Sequence, residues 1–254
     1  MTGSIPAAHD GANIARLRSM AALAAVELVE PGMVVGLGGG ATAAIAVRDI
    51  GRLLAIGVLR GVVGVPCSLA VEQEARQAGI PLVSFQDRPT VDLTIDGADE
   101  VDPSLNLIKG GGGALLREKV VAQASRREVI IVDAGKLSRQ LGTRHPLPLE
   151  VLPFGWMSQV AFVKRLRGRA ALWRDATGAP RLTDQSNFVL MCDFGPIARP
   201  EELAQSLAQR AGIIEHGLFV GVASEVLVGT ANGVLRLLPG LADQNLRMER
   251  SLWN

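Results

Sequence analysis

Acidic residues crowd one short stretch of the chain, directly after a predicted strand. Residues 92–102 read DLTIDGADEVD, and Asp96, Asp99 and Glu100 follow the apolar residues that indicate the strand. In open parallel α/β sheets, ligands bind at the carboxyl ends of the strands. An isolated Asp-Gly pair is more often a solvated turn, and the segment lacks the alternating carboxylates of a calcium loop. The cluster is therefore a candidate site only in the company of other reactive residues.

Such residues follow at once. Lys109 precedes four glycines at positions 110–113, and the predicted helix that comes next carries Glu118. Glycines leave their N–H groups unshielded, so these groups can approach a small ligand and donate to a developing oxyanion. A flexible linker is the alternative, but a linker is not expected between a buried strand and an apolar helix. Glu118 alone would more often be a surface residue, whereas in this company it is a candidate general base.

A second glycine-rich turn joins a strand to a helix, because residues 36–42 read GLGGGAT. Backbone N–H groups and the helix dipole favour a phosphate or a carboxylate at such a turn. The letters also fit a dinucleotide fingerprint, but the acidic residue expected after the next strand is missing beyond Val65. A Walker loop is excluded because no Gly-Lys-Ser/Thr follows. A tight turn that only packs the helix on the strand is the remaining alternative.

The elements that must position these residues alternate between helix and strand. Expected helices cover residues 14–28, 42–54, 69–78 and 114–123, and expected strands cover residues 33–37, 61–65, 81–84, 93–95 and 129–132. This alternation predicts a parallel sheet with crossover helices. The β-branched run at residues 129–132 indicates a strand that is buried on both faces.

The pattern changes after the Pro-Leu-Pro sequence at residues 146–148. A smaller βαββα unit is predicted there, closed by a helix over residues 200–211. Residues 217–219 and 226–228 then return as expected strands of the first sheet. The second unit is therefore inserted near the end of the first. Residues 1–13 are small and polar without periodicity, and we expect a disordered tail there.

Composition narrows the class of protein. The chain has 254 residues, 48% of them hydrophobic, which allows one or two cores. Its net charge of +1 provides no broad field for nucleic acid or a membrane surface, so we expect neither partner. Cys67 and Cys192 lack the spacing of a disulfide framework or a zinc site, which favours a reducing cytoplasm. We find no uncharged apolar window of about 18 residues, the length that suits a transmembrane helix.

In combination, these blocks resemble the ribose-5-phosphate isomerase type A family. The resemblance rests on DGADE at residues 96–100, IKGGG at 108–112, REK at 117–119, DAGK at 133–136 and PLPLEV at 146–151. It implies an α/β fold in which residues 14–149 and 215–254 form a Rossmann-like parallel-sheet domain. Residues 150–214 would form a small inserted α+β lid domain. It also implies a homodimer that acts in the cytoplasm on a small sugar phosphate.

The resemblance further implies the interconversion of D-ribose 5-phosphate and D-ribulose 5-phosphate through a cis-enediolate, without metal or organic cofactor. Glu118 corresponds to the residue that moves the proton between C1 and C2. Asp96, Asp99 and Lys109 correspond to residues that assist ring opening and polarise the sugar oxygens. The positions implied to contact the substrate are Gly38, Gly39, Gly40, Ala41, Thr42, Ser68, Gly97, Ala98, Gly110, Gly111, Gly112 and Lys136.

The chain departs from the family pattern where the phosphate would bind. The family loop usually reads Gly-x-Gly-Thr-Gly-Ser-Thr, whereas Gly39 and Ala41 replace its first Thr and its Ser, which leaves Thr42. Two further departures lie outside the loop: Ala15 stands at the position of a frequent lysine, with Arg16 and Arg18 nearby, and Gly135 replaces the Ser of the Asp-x-Ser-Lys segment.

Several other functions compete with this interpretation. A paralogous isomerase for another sugar phosphate would also keep Glu118. A non-catalytic sugar-phosphate sensor would be expected to lose the base and keep the phosphate loop, which is the reverse of what this sequence does. An acyl-CoA transferase needs a nucleophilic Glu in a different loop, and the missing ribose-binding carboxylate disfavours an oxidoreductase. We assign structural roles to His9, His145 and His216, which lie in the tail or beside the predicted domain boundaries.

Overall fold

The computed structural model describes residues 7–248, 252 and 253. The α-helices of this part of the chain are α1 (Ala7–Val26), α2 (Gly40–Ala55), α3 (Leu69–Gln77), α4 (Leu115–Gln123), α5 (Trp156–Arg165), α6 (Pro200–Ala208) and α7 (Ala242–Arg247). A short 3-10 helix covers Ala134–Lys136. Among these described helices, none combines the length and the apolar character that crossing a membrane requires.

The strands form three sheets. They are β1 (Val34–Leu37), β2 (Val63–Pro66), β3 (Leu93–Asp96), β4 (Glu100–Val101), β5 (Leu107–Ile108), β6 (Glu128–Asp133), β7 (Leu147–Val151), β8 (Arg169–Leu172), β9 (Phe188–Asp193), β10 (Ile213–His216), β11 (Leu218–Phe219), β12 (Glu225–Thr230) and β13 (Gly233–Leu237). The main sheet has the order β13-β12-β6-β3-β1-β2. Its strands run parallel except for the antiparallel edge strand β13, which confirms the predicted α/β class.

The centre of the main sheet is buried on both faces. All six residues of β6 are buried, as the β-branched run predicts. Helix α1 packs across β12 and β6. A glycine allows this close packing, because a Cβ atom at Gly229 would lie 1.9 Å from the carbonyl oxygen of Leu17. The sheet is thereby held rigidly beneath the loops at the carboxyl ends of its strands.

A four-stranded antiparallel sheet, here called the second sheet, forms the inserted unit in the order β10-β7-β9-β8. Its residues pack with α5 and α6 around a second hydrophobic core, which Ile108 of β5 and Leu218 of β11 also enter. The predicted boundary at 149/150 falls inside β7 and the one at 214/215 falls inside β10, because both strands belong to this sheet. The division of the chain into two domains stays a prediction.

Three expectations about the elements were wrong. Helix α1 begins at Ala7, so residues 7–13 are helical rather than part of a tail, because alanines among them favour helix; residues 1–6 and the side chain of His9 lie outside the described residues. Residues 81–84 form an isolated bridge between Gly64 and Leu82 rather than a strand, since Pro81 has no N–H to donate.

The third correction concerns residues 217–219. Strand β11 does not return to the main sheet but pairs antiparallel with β5, in a three-stranded sheet with the order β11-β5-β4. In this register Leu218 lies opposite Ile108. The backbone N–H of Lys109 donates to the carbonyl of Gly217 at 2.9 Å. The small sheet therefore anchors the residue next to the four-glycine loop.

Candidate active site

A cavity of about 440 Å³ opens beside the carboxyl ends of β1 and β3 and the first turns of α2, α3 and α4. The structure brings the predicted site residues to its wall except Gly38 and Asp96, which lie behind it. Those on the wall are Gly39, Gly40, Ala41, Thr42, Ser68, Gly97, Ala98, Asp99, Lys109, Gly110, Gly111, Gly112, Glu118 and Lys136. Sequence reasoning had given no role to Ala44, Ala70, Val71, Glu74 or Ala114, which line the same cavity.

A buried ammonium group joins the reactive side chains. The Nζ atom of Lys109 lies 2.9 Å from Oδ2 of Asp96 and 3.4 Å from Oε2 of Glu118. It also donates to the carbonyl oxygen of Gly97 at 2.6 Å. The Lys109 and Asp96 side chains are only 2% and 1% exposed, so their charges interact with little screening by water.

Asp96 holds this ammonium from behind the cavity. Its Oδ1 atom accepts from the backbone N–H groups of Gly39 at 2.9 Å and Gly97 at 2.7 Å. A Cβ atom at Gly38 would lie 2.3 Å from the carboxyl carbon of Asp96, so only glycine permits this approach. Gly38 therefore makes room for Asp96 and lies behind the cavity wall, and its contact with the substrate stays a prediction.

The environment of Glu118 suits a proton-transfer group. Burial raises the pKa of Glu118 to about 7, and the negative charges of Asp96 and Asp99 add to this effect, while Lys109 opposes it. Burial also disfavours the charged form of Lys109, but the carboxylates of Asp96 and Glu118 outweigh burial and raise the pKa of this lysine above its usual range. A carboxyl group that titrates near neutral pH is well matched to a general base.

The four-glycine loop reaches the cavity through left-handed backbone conformations. Gly110 and Gly113 have φ values of 95° and 88°, which side chains rarely adopt. The Oδ2 atom of Asp99 accepts from the N–H of Gly111 at 2.8 Å and so fixes the loop. Helix α4 begins directly afterwards, and its N-cap residue Ala114 has no side chain that could cap the helix.

Positively charged side chains and the N-terminus of α2 lie at the other end of the cavity. Arg18 lies on the wall, and its Nε donates to Oδ2 of Asp133 at 3.0 Å. Asp133 also accepts from Gly135 and so caps the 3-10 helix that carries Lys136. Arg16, in contrast, contacts Asn13 and Met20 of its own helix. Helical spacing could have distinguished the two arginines, because positions 18, 22 and 25 fall on the buried face of α1.

One group of described side chains has the donor types of a metal site. Ligand atoms of Cys67, Asp96 and Glu118 lie within 4.8 Å of one another. The Lys109 ammonium already contacts both carboxylates, so a metal cation would meet a fixed positive charge there. Burial, followed by the negative charge of Asp96, raises the pKa of the Cys67 thiol well above its ordinary value, which keeps the thiol protonated. Independence from metal stays a prediction.

Comparisons with known proteins agree on one family. The family model described as Ribose 5-phosphate isomerase A (phosphoriboisomerase A) matches residues 63–233. The ribose-5-phosphate isomerase A of Chloroflexus aurantiacus is 55% identical over 85% of this chain and 91% of the relative. That of Desulfatibacillum aliphaticivorans is 50% identical over 86% and 95%. A solved D-ribose-5-phosphate isomerase in complex with phospho-erythronic acid is 35% identical, with a TM-score of 0.87 over 89% of this chain and 99% of that one.

The raised pKa of Glu118 predicts a stability that depends on pH. Its pKa rises from an ordinary 4.5 to about 7 on folding, so the contribution to stability is complete below the unfolded value and is lost as pH rises through the folded one. We therefore expect Glu118→Gln to be more stable than the parent protein at about pH 8, by up to about 3 kcal/mol, with the advantage disappearing near pH 4.

Urea denaturation at both pH values measures this difference. The matched control is Glu201→Gln, which changes an exposed glutamate in the first turn of α6. A Glu118→Gln protein that loses stability equally at both pH values would contradict the raised pKa.

Proposed function

The chain belongs to the ribose-5-phosphate isomerase A family, which interconverts D-ribose 5-phosphate and D-ribulose 5-phosphate, and we propose a role in this reaction for each of its main site residues. The family match and relatives of this name over most of the chain disfavour a paralogous isomerase or a sensor. One observation carries the proposed roles. Glu118 lies on the cavity wall, buried beside Lys109, with a pKa of about 7.

In the proposed reaction, the ionised carboxylate of Glu118 removes the proton from C2 of the open-chain aldose. The electron pair forms a C1–C2 double bond, and negative charge develops on O1. Lys109 and Gly112 both line this cavity, so the ammonium of Lys109 and the backbone N–H of Gly112 can stabilise the cis-enediolate, whereas the N–H of Gly111 already donates to Asp99. Glu118 then returns its proton to C1 while the hydroxyl proton moves from O2 to O1, which yields the ketose. The residues of the chain supply both functions, so the proposal requires no cofactor.

The two aspartates have different positions and therefore different proposed roles. Asp99 lines the cavity, so it can contact the sugar hydroxyls and assist ring opening. Both oxygens of Asp96 are engaged, one by Lys109 and the other by two backbone N–H groups. We therefore assign Asp96 to holding the Lys109 ammonium in place rather than to contact with the sugar.

Loss of the base tests this assignment. Glu118→Gln keeps the size of the side chain but cannot accept a proton, so we expect turnover to fall by roughly two to four orders of magnitude. A coupled isomerase assay measures turnover, and circular dichroism verifies the fold. Glu201→Gln again serves as the matched control. Near-parental turnover in a folded Glu118→Gln protein would remove Glu118 from the mechanism.

We further propose that the substrate phosphate lies at the N-terminus of α2. Arg18 and Lys136 supply positive charge on the cavity wall there, and Thr42 supplies the remaining hydroxyl of the altered loop. Helix N-termini favour anions, and arginine can donate two hydrogen bonds to one phosphate. The solved relative bound to phospho-erythronic acid supports a phosphate-bearing ligand for this fold.

Restoring one lost hydroxyl tests this site. Ala41→Ser adds a donor on the cavity wall, and a hydrogen bond to a charged group contributes about 1.5 to 3 kcal/mol, so we expect KM for ribose 5-phosphate to fall roughly tenfold. We leave Gly39 unchanged, because a Cβ atom there would already lie 3.4 Å from Oε1 of Glu118. Ala55→Ser, at the far end of α2, is the control. An unchanged KM in Ala41→Ser would place the phosphate elsewhere.

We also propose that the enzyme is a cytoplasmic homodimer. Cys67 and Cys192 are both free, buried thiols, which suits a reducing compartment. Apolar side chains are exposed just beyond β7 and at the start of α5: Leu152 is 41%, Phe154 92% and Met157 59% exposed. Exposed apolar surface of this kind commonly marks a protein interface.

A charge placed on this surface tests the dimer. We expect Phe154→Asp to shift the sedimentation equilibrium from dimer to monomer, because a carboxylate cannot be buried there without a partner. Val58→Asp changes another exposed apolar residue, 61% exposed at the end of α2, and should leave the dimer intact. A parental protein that sediments as a monomer, or a Phe154→Asp protein that remains a dimer, would contradict this interface.

A further inference from the structure

The catalytic glutamate has a cation on each side in sequence, and both cations reach the second sheet. The Nη1 atom of Arg117 lies 3.6 Å from Oδ2 of Asp184, in the loop between β8 and β9. The Nζ atom of Lys119 lies 2.6 Å from Oε1 of Glu215, in β10. Two ion pairs to the second sheet therefore bracket Glu118, although Glu118 itself makes its contacts with residues around the main sheet.

We propose that Asp184 and Glu215 are positioning residues: through Arg117 and Lys119, they hold α4 in the orientation that places the Glu118 carboxylate beside Lys109. This inference rests on the proposed role of Glu118 as the base. It gives the second sheet an indirect part in the proton transfer, through the position of α4. Neither acidic residue lines the cavity, so both act through the helix.

Asp184 connects the two helices on either side of the cavity mouth. Besides its pairing with Arg117, its Oδ2 accepts from the backbone N–H of Leu69 at 2.8 Å, at the start of α3. In the amide orientation that satisfies both groups, the side-chain oxygen of Gln185 accepts from Nε and Nη2 of Arg117 at 2.6 and 2.9 Å. This turn thus fixes the guanidinium from two sides and ties α4 to α3.

Hydrogen bonds attach the turn that contains Asp184 and Gln185 to the second sheet. The side chains of Thr183 and Asn187 both donate to Oε1 of the buried Glu150, in β7, at 2.8 and 2.9 Å. At the start of the same loop, the ring of Trp173 packs against the four-glycine loop, where a Cβ atom at Gly113 would lie 3.2 Å from the ring. A movement of the second sheet would therefore be transmitted to Arg117.

The ion pair of Lys119 is the more deeply buried of the two. Its Nζ donates to Glu215 and, at 2.6 Å, to the carbonyl oxygen of His216, and it lies 4.8 Å from the centre of the Phe219 ring. Lys109 approaches the same ring at 5.4 Å. Burial, followed by the positive charge of Lys119, lowers the pKa of His216 to about 4, so the imidazole is neutral near pH 7 and adds no competing charge.

Helix α4 needs such external support because its own sequence provides little. It has nine residues, no side-chain cap at Ala114, and glycines immediately before it. Short helices depend on tertiary contacts rather than on propensity. A displacement of about 1 Å at a reacting group can cost on the order of a hundredfold in rate. We expect the two ion pairs to maintain the 3.4 Å separation between Glu118 and Lys109.

The Arg117–Asp184 pair provides the first test, because its side chains are 33% and 26% exposed, so that breaking it leaves no fully buried charge. We expect Asp184→Asn and Arg117→Gln each to lower kcat about tenfold with little change in KM, and the double variant to be no worse than either single variant. The control variant Asp193→Asn breaks a surface ion pair with Arg169 on the same sheet, and its kcat and KM should equal those of the parent.

The pH profile separates positioning from a loss of folded protein. If α4 shifts and Glu118 moves away from Lys109, the carboxylate loses its nearest positive charge and its pKa rises. The acid limb of kcat/KM should then move to higher pH in Asp184→Asn and also in Glu215→Gln, which keeps a hydrogen-bonding group beside Lys119. A lower folded fraction alone would scale the rate and leave this limb unchanged.

Several outcomes would overturn the proposal. An acid limb and a kcat per folded molecule that match the parent in Asp184→Asn or Glu215→Gln would remove that residue's positioning role. Additive losses in the double variant, or a raised KM in Arg117→Gln alone, would show that Arg117 acts on the substrate. Glu118→Gln in the same assay separates the two hypotheses: if it is active, the base assignment fails, whereas if it is inactive and Asp184→Asn is normal, positioning alone fails.

Discussion

The site depends on one buried positive charge. An ammonium group that is almost completely removed from water is tolerated only when carboxylates and carbonyl groups surround it. Lys109 meets this requirement through Asp96, Glu118 and the carbonyl of Gly97. The glycine at position 38 follows from the same constraint, because a side chain there would displace Asp96. The buried charge therefore determines where a neighbouring residue must be glycine.

This arrangement trades stability for reactivity. Glu118 is buried where its ionised form is disfavoured, yet that form is the one that can accept a proton. Strained or desolvated groups persist at active sites because the rest of the structure compensates for them. Here the compensation includes the fully buried β6 and a glycine contact between α1 and β12. A rigid main sheet lets one unfavourable carboxylate remain in place.

Local features of the fold could be predicted from the sequence, whereas contacts between residues far apart in the chain could not. Alternating periodicity predicted the parallel sheet, and the family resemblance implied most of the residues that line the cavity. Periodicity could not show that β11 leaves the main sheet, because a two-residue strand carries almost no pattern. The resemblance implied one shared role for Asp96 and Asp99, whereas only Asp99 lines the cavity. The partners of Arg117 lie far away in the chain, in a loop whose path depends on the folded second sheet.

At the phosphate site that we propose, positive charge would take the place of hydroxyl donors, because Gly39 and Ala41 carry none. Hydroxyl groups at positions 39 and 41 would require close and directional contacts, whereas a cation attracts a phosphate over a longer distance. One carboxylate organises the cations that remain: Asp133 binds the Arg18 guanidinium and caps the turn that carries Lys136. Because the same residue contacts both, the spacing of the two positive charges does not depend on the glycine turn before α2. The proposed phosphate site would therefore keep two fixed cations although its loop lacks those hydroxyls.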